Sequence, residues 1–344
     1  MAEERKGPLT RADVLKLIEE SGGKTEGLDL SGQIFVEAID LSGLDLRGII
    51  LKDARFPTDF EDGQQVGAKF NGSDLTGADL RSINLQYAQF KKLDNQPTCL
   101  AGVDLRSSLL LNANFQGADL TGAQFGGIPS AAGYPATLEG TDLRGANLFR
   151  ANFEGCYFYD TKLEGAYIRG ADIFDAYLEE IDWGKYKIGE ESKKENLHSA
   201  ESIYRQLKQW YTNAGIYDVA GKFLYRELEA RRKSRSWKAE PHLKLWDWIW
   251  RLLCGYGEEW PRVIIWAATV VFGLALIYFA IGTLTPNTFL NSLYYSAVSF
   301  TALGYGTWAP NPTGWVKGLG AVEAFVGVFM MALFLVTFTR KMTR

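Results

Sequence analysis

The twelve residues Ser299-Phe300-Thr301-Ala302-Leu303-Gly304-Tyr305-Gly306-Thr307-Trp308-Ala309-Pro310 hold two spaced glycines and no charge. Gly304 and Gly306 can take backbone angles closed to other residues, so successive carbonyls can turn toward one axis. A ring of such carbonyls from four chains can replace the hydration shell of a cation. The bland alternative is a tight turn that merely contains two glycines. Glu323 is the second chemical candidate, because an ionisable residue inside an apolar stretch is costly unless paired or hydrated, and marks function by default. It stands four residues before Gly327, on the same helical face one turn away. Two roles are open to it: lining a watery cavity that attracts cations, or bracing a neighbouring helix by hydrogen bonding.

The elements around these residues set their depth. Residues 263–284 carry no charge over 22 positions, enough to cross about 30 Å of hydrocarbon. Pro261 precedes them, where a helix start tolerates it. A second span is expected at 316–340, with Glu323 the only charge over 318–339. Residues 285–316 contain no Lys, Arg, Asp or Glu, whereas basic residues flank the outer ends of the pair. The excess of positive charge on cytosolic flanks therefore predicts a multi-pass protein of the cell's inner or plasma membrane, with both termini cytoplasmic. Residues 290–300 fit a short re-entrant helix. Irregular backbone after it, at membrane depth, is tolerated only where protein or a watery cavity surrounds it.

Residues 299–310 resemble the selectivity filter of tetrameric potassium channels, whose pattern is Thr-Val-Gly-Tyr-Gly. The resemblance implies a filter over 301–306 (Thr301, Ala302, Leu303, Gly304, Tyr305, Gly306), with the cation held by the carbonyls of Leu303, Gly304 and Tyr305. It places Tyr294 and Tyr295 in an aromatic cuff, Thr307 and Trp308 at the filter exit, and Gly327 at a gating hinge. It implies a homotetramer in a lipid bilayer, with potassium as the permeating ion and no other cofactor. Three residues depart from the pattern. Ala302 stands where the second Thr of Thr-Thr-Val-Gly-Tyr-Gly would line the innermost ion site, Leu303 replaces Val, and Thr307 replaces Asp. Conduction of monovalent cations is the expectation, with potassium the permeating ion. The alternatives are a non-selective cation channel, or a membrane-anchored scaffold whose pore does not conduct.

The first half has a different grammar. From Leu28 the chain repeats every five residues, with apolar centres such as Leu75, Leu80, Leu85 and Phe90, and Leu143, Leu148, Phe153 and Phe158. Two residues before each centre stands a small or apolar residue, such as Ala146 or Ala151, and between the two comes Asp or Asn. A period of five fits neither a strand nor a helix, so no single continuous element can carry it. A right-angled coil with one unit per face would put two inward residues per unit into a narrow core, so one must be small. The pattern resembles the pentapeptide-repeat family, which implies a right-handed quadrilateral β-helix. The recognisable units suffice for about six coils, a rod roughly 30 Å long at strand spacing. Stretches 57–67, 95–102 and 126–140 break the period and are expected as loops. They are either tolerated insertions or a surface for an unknown cytosolic protein or small ligand. Residues 10–21 are expected to form a capping helix with Thr10 as N-cap, Asp13 at its third position, and Val14, Leu15, Leu17 and Ile18 as its apolar face.

Residues 28–183 carry 23 Asp and Glu against 12 Lys and Arg. The acidity is scattered rather than striped, which argues against imitation of DNA, and no nucleic-acid partner is expected. Residues 196–214 and 216–236 read as two amphipathic helices around Asn213-Ala214-Gly215. Residues 231–251 then set seven Lys and Arg against two acids, mixed with Trp246, Trp248 and Trp250. Such a helix lies in the headgroup layer. Three distant cysteines and two separate histidines give no metal or disulfide pattern. No nucleophile–base pair or phosphate loop suggests an enzyme. The residues before Thr10 have no apolar signal-peptide core. The chain thus reads as a multidomain membrane protein of prokaryotic type. A capping helix (1–27), a β-helix (28–184) and a helical-hairpin connector (185–236) lead to an interfacial helix (237–259) and an all-α two-span pore domain (260–344). Within the last, span 263–284, pore helix 290–300, filter 301–306 and span 316–340 follow in order.

Overall fold

The computed structural model describes residues 7–127, 134–173, 175–282, 284–304, 312 and 314–342, and the chain divides into two compact units, 1–203 and 204–344.

The first unit is built from single-residue parallel bridges rather than long strands. Where the period is unbroken, each bridge joins residues twenty apart, as in Lys69–Gln89, Cys99–Asp119 and Asn152–Asp172. Twenty residues are four repeats. The bridges accordingly line up in four columns: one through Ile50, Asp79, Asp104 and Gln124, one through Lys69, Gln89, Asn114 and Asp142, one through Asp74, Cys99, Asp119 and Asn147, and one through Asn84, Leu109, Thr137 and Tyr157. Inside, the phenylalanine centres stack at ring distances of 5.1 Å (Phe70–Phe90), 4.4 Å (Phe90–Phe115) and 4.6 Å (Phe125–Phe153). The small positions are as buried as the centres. Where a hydroxyl replaces alanine there, it donates to a carbonyl of the neighbouring coil: Ser108 to Leu80 at 2.6 Å, Thr141 to Leu110 at 2.9 Å and Thr161 to Leu138 at 2.8 Å. A buried polar group is thereby satisfied at no cost in width. Cys156 fills the same position, and burial pushes its thiol up to about 12.

Four details differ from the sequence reading. Leu100 and Leu138 are fully buried, with Cys99 and Thr137 in the bridge columns, so two further units lie inside stretches expected as loops. Each stands five residues before the next centre, Leu105 or Leu143, and so is the first unit of the run that follows the irregular stretch. The insertion after Phe56 contains a hairpin, β1 (Asp59–Glu61) antiparallel to β2 (Gln64–Val66). Ile168 and Ile173 are only half-buried centres. Helix α1 (Arg11–Glu20) has the expected capping box between Thr10 and Asp13, but buries only Val14 of its expected face and exposes Leu15. The chain just before it supplies the rest, through a bridge from Leu9 to Phe35.

The division falls within α2 (Leu197–Asn213), which leads into α3 (Tyr217–Ser234) of the second unit. Tyr211 and Phe223 stack at 5.5 Å, and buried Glu227 is held by Arg205 at 2.9 Å and Lys208 at 2.6 Å. Helix α4 (Pro241–Cys254) starts on a proline and stops at left-handed Gly255, so it is shorter than the 237–259 expected. It exposes Trp246, Trp248 and Leu252. Helix α5 (Trp260–Ile281) takes Pro261 into its first turn and ends at left-handed Gly282, which moves this span three residues earlier than 263–284. Helix α6 (Phe289–Thr301) and helix α7 (Val316–Met342) follow. Both α5 and α7 are long and apolar enough to cross a membrane and expose most of their surface, including Ile265, Phe272, Val322 and Phe325.

Arginines two residues after an acid grip it bidentately on the coil surface. Arg81 holds Asp79 at 2.8 and 2.6 Å, and Arg144 holds Asp142 at 2.9 and 2.6 Å. Hydrogen bonds from Arg81 hold the Asp79 carboxyl below its usual range against a smaller effect of burial. At Asp142 burial is the largest influence and pushes the carboxyl up, but the side-chain and backbone bonds from Arg144, with the charges of Arg144 and Lys162, together outweigh it. A carboxyl lowered in the folded state stabilises above its unfolded value of about 4, and that stability is lost as pH falls through the folded value. Thermal melting of the coil, followed by circular dichroism, should therefore be flat above pH 5 and drop toward pH 2. The Asp79→Asn, Asp142→Asn double variant should melt lower at neutral pH and show a shallower drop.

Candidate functional site

Three helices converge on Glu323. Its neighbours on the buried stripe of α7 are Val316, Gly320, Gly327, Met330, Leu333 and Thr337, spaced three and four apart as one packed helical face requires. The Glu323 side chain is 1% exposed. Tyr278 of α5 donates its hydroxyl to Oε2 at 2.8 Å, and Ser296 of α6 hydrogen-bonds Oε1. The Ser296 hydroxyl also lies 2.9 Å from the Val271 carbonyl of α5. Tyr278 in turn packs edge-on against Tyr295 of α6 at 5.0 Å. One carboxylate thus joins both spans to the short helix between them. Sequence reasoning singled out Glu323 but missed Tyr278 and Ser296. The signal was available in Ser292, Ser296 and Ser299, hydroxyls spaced four and three along α6, all buried on one face.

Gly327 lies where α7 passes the end of α6. A Cβ added there would overlap the Phe300 carbonyl group, so packing alone demands glycine at this point of a regular helix. Close approach is a sufficient reason for the residue, whatever else it does.

Helix α6 is capped at its start by Thr288, whose hydroxyl accepts from the Asn291 amide at 3.3 Å. At its end Thr301 turns its hydroxyl back to donate to the Ala297 carbonyl at 2.7 Å. Ala302 then takes a left-handed conformation at φ 54° and its amide donates to the Ser299 carbonyl. Gly304 is also left-handed, at φ 88°. A left-handed residue directly after the last helical turn stops the helix and redirects the chain, and here it does so at an alanine, which resists that conformation more than glycine. Leu303 is 82% exposed. Tyr305, Gly306, Thr307 and Trp308 lie outside the described residues. The two adjacent tyrosines have different surroundings: Tyr295 is buried among the chain's own helices, whereas Tyr294 is exposed. Among the described residues no group of His, Cys, Asp or Glu has the arrangement of a metal site.

The far end of α7 is tied within its own unit. Arg340 pairs with Glu258 at 3.5 Å, and Lys341 pairs with Asp218 at the start of α3. Lys341, followed by Lys222, holds the Asp218 carboxyl below its usual range.

Residues 254–344 match the ion-channel family. Residues 66–94, 98–128 and 136–179 match pentapeptide repeats, in eight copies. No curated protein matches the chain. Among solved structures, the chain is similar to HetL, a pentapeptide repeat protein of the cyanobacterium Nostoc sp. strain PCC 7120, at 24% identity over 50% of this chain and 96% of that one, with a TM-score of 0.23. A pentapeptide repeat protein of the Arabidopsis thaliana thylakoid lumen matches at 25% identity over 32% and 68%, TM-score 0.23. One from the cyanobacterium Cyanothece 51142 matches at 19% identity over 50% and 98%, TM-score 0.16.

Two substitutions separate packing from charge at this site. Gly327→Ala should lower stability by about 1–3 kcal/mol through overpacking, read as a drop in the melting temperature of the detergent-purified protein. Glu323→Ala takes the carboxyl acceptor from the Tyr278 hydroxyl and leaves Ser296 with the Val271 carbonyl, and should cost about 1–3 kcal/mol in the same assay. Glu323→Gln keeps an acceptor oxygen and should retain most of the stability.

Proposed function

We propose that this chain, which joins pentapeptide repeats to an ion-channel domain, forms a tetrameric membrane channel for monovalent cations, with potassium as the permeating ion. The observation that carries this reading is the end of α6: a short helix between two spans stops at left-handed Ala302 and delivers Leu303 and left-handed Gly304 into the open. The last carbonyls of a helix carry partial negative charge, so this end favours a cation beside it. The carbonyls of Leu303, Gly304 and Tyr305 supply the ring, and four chains are needed to close it. The membrane domain of one chain leaves Leu303, Phe325, Val328 and Val336 exposed, apolar surface open to lipid or to neighbouring subunits.

In this reading Glu323 braces the pore helix from behind rather than lining the cavity, since its oxygens are taken by Tyr278 and Ser296. Tyr294, free of its own chain's core, is the cuff residue that meets a neighbouring subunit, and Thr307 and Trp308 support the filter exit. Gly327 serves close packing first and bends the helix second. Arg340 and Lys341 belong on the cytosolic side with the repeats. The four bridge columns support a right-handed quadrilateral β-helix for residues 28–184, whose role is regulatory. The contact of Lys341 with Asp218 offers the hairpin a grip on the pore-lining helix.

Planar-bilayer recordings on the purified protein test the reading. A potassium-over-sodium permeability ratio well above one is expected from reversal potentials. Ala302→Thr restores the missing hydroxyl and should raise that ratio. Equal permeability to both ions would leave a non-selective channel, and silence under all conditions would favour the scaffold with a closed pore.

A further inference from the structure

A cavity of about 410 Å³ opens in the second unit between α3, α4, the Tyr256 turn and the C-terminal part of α7. Its lining divides by chemistry. Leu333 and Val336 of α7 with Trp246 and Trp250 of α4 form an apolar wall, while Arg231, Tyr256 and Arg340 supply donors. Two of those donors are anomalous. The Arg231 Nε and the Tyr256 hydroxyl are both buried without a hydrogen-bond partner among the described residues. Arg232 lies near the Tyr256 hydroxyl, but not in hydrogen-bonding geometry. Leaving such groups unsatisfied is costly, and native structures rarely do so without a ligand or water to answer them.

The fold holds the Tyr256 donor in place. Tyr256 sits at φ 60°, between left-handed Gly255 and Gly257, and its ring packs edge-on against Tyr225 at 5.5 Å. Burial pushes its phenol up to about 12, with the Glu229 charge adding to the effect, so it is a neutral donor at physiological pH. The acids nearby are already neutralised. Arg235 grips Asp247, Arg232 holds Glu229 at 2.6 Å, and Arg340 pairs with Glu258. That leaves the cavity with a cationic, donor-rich corner facing an apolar wall.

We propose that this cavity binds an anionic phospholipid, with Arg231 and Tyr256 donating to the headgroup phosphate and an acyl chain lying along Leu333, Val336 and Trp246. Arginine suits a phosphate because its planar fork presents several donors at once. The exposed tryptophans of α4 favour the headgroup layer, where that phosphate is found. The site rests on the membrane placement proposed above, but not on conduction: lipid binding is read in detergent, without ion flux, so a silent pore and an empty cavity are separate results.

Native mass spectrometry of the full-length protein, titrated with dioctanoyl phosphatidylglycerol, dioctanoyl phosphatidylcholine or inorganic phosphate, tests the proposal. Phosphatidylglycerol should bind at one site per chain and outcompete phosphatidylcholine by about tenfold or more, because the phosphate meets the same donors in both lipids but the quaternary ammonium of choline is repelled by the cationic corner. Arg231→Gln should weaken phosphatidylglycerol about tenfold and Tyr256→Phe less, by roughly one neutral hydrogen bond. Val336→Trp, which fills the apolar wall and leaves both donors intact, should also weaken it and guards against a poorly folded Arg231 variant. Lys238→Gln removes an exposed cation outside the cavity and should change nothing. Unchanged binding in all three cavity variants, or an equal loss in Lys238→Gln, overturns the site. Inorganic phosphate competing at the same concentration as the lipid would make it an anion site and overturn the lipid assignment.

Discussion

Everything in the membrane domain hangs on one buried carboxylate. An ionisable group inside an apolar bundle is costly unless its oxygens are answered, and at Glu323 both are, by Tyr278 on one span and Ser296 on the short helix. Because the partners come from different helices, the bond fixes the register of α5, α6 and α7 together, which nonspecific apolar packing cannot do. In hydrocarbon there is little hydrophobic drive to bring helices together, so interhelical hydrogen bonds and close packing must do it. The contact of Gly327 with Phe300 is the packing half of the same arrangement. Both point at α6, and α6 ends where the chain turns toward Leu303 and Gly304.

The repeat unit answers a different constraint, the width of its own core. With two inward side chains per five residues, a large centre must be matched by a small partner, and stacked phenylalanines fill the axis. Substituting Ser, Thr or Cys at the small position is harmless because the hydroxyl finds a carbonyl one coil away, and the thiol simply stays protonated. The backbone requirement is met by the bridges, one per unit per coil, so insertions such as the β1–β2 hairpin can leave and re-enter without disturbing the columns. That tolerance explains why a strict period coexists with abrupt breaks.

How much could be read in advance follows from the range of each interaction. The repeat was legible because its signal is local and recurs, and among the described residues Leu100 and Leu138 escaped, each the first unit after an irregular stretch. The spans were legible from apolar length; left-handed Gly282 stops the first a few residues early, as left-handed Gly255 stops α4 before it. Thr10 and Asp13 announced a helix, whereas the burial of Leu9 in place of Leu15 depends on a bridge to Phe35 that no local pattern encodes.

By itself, the sequence determined the two architectures, the membrane spans, the short helix between them, and Glu323 as a residue that must be answered. Each of these rests on periodicity or composition within a window of a few turns. Tertiary structure alone decided which groups answer Glu323, what Gly327 packs against, and that Arg231 and Tyr256, distant in sequence, share one cavity. Those are contacts between segments tens of residues apart, and a linear pattern carries no information on which distant face a side chain will meet.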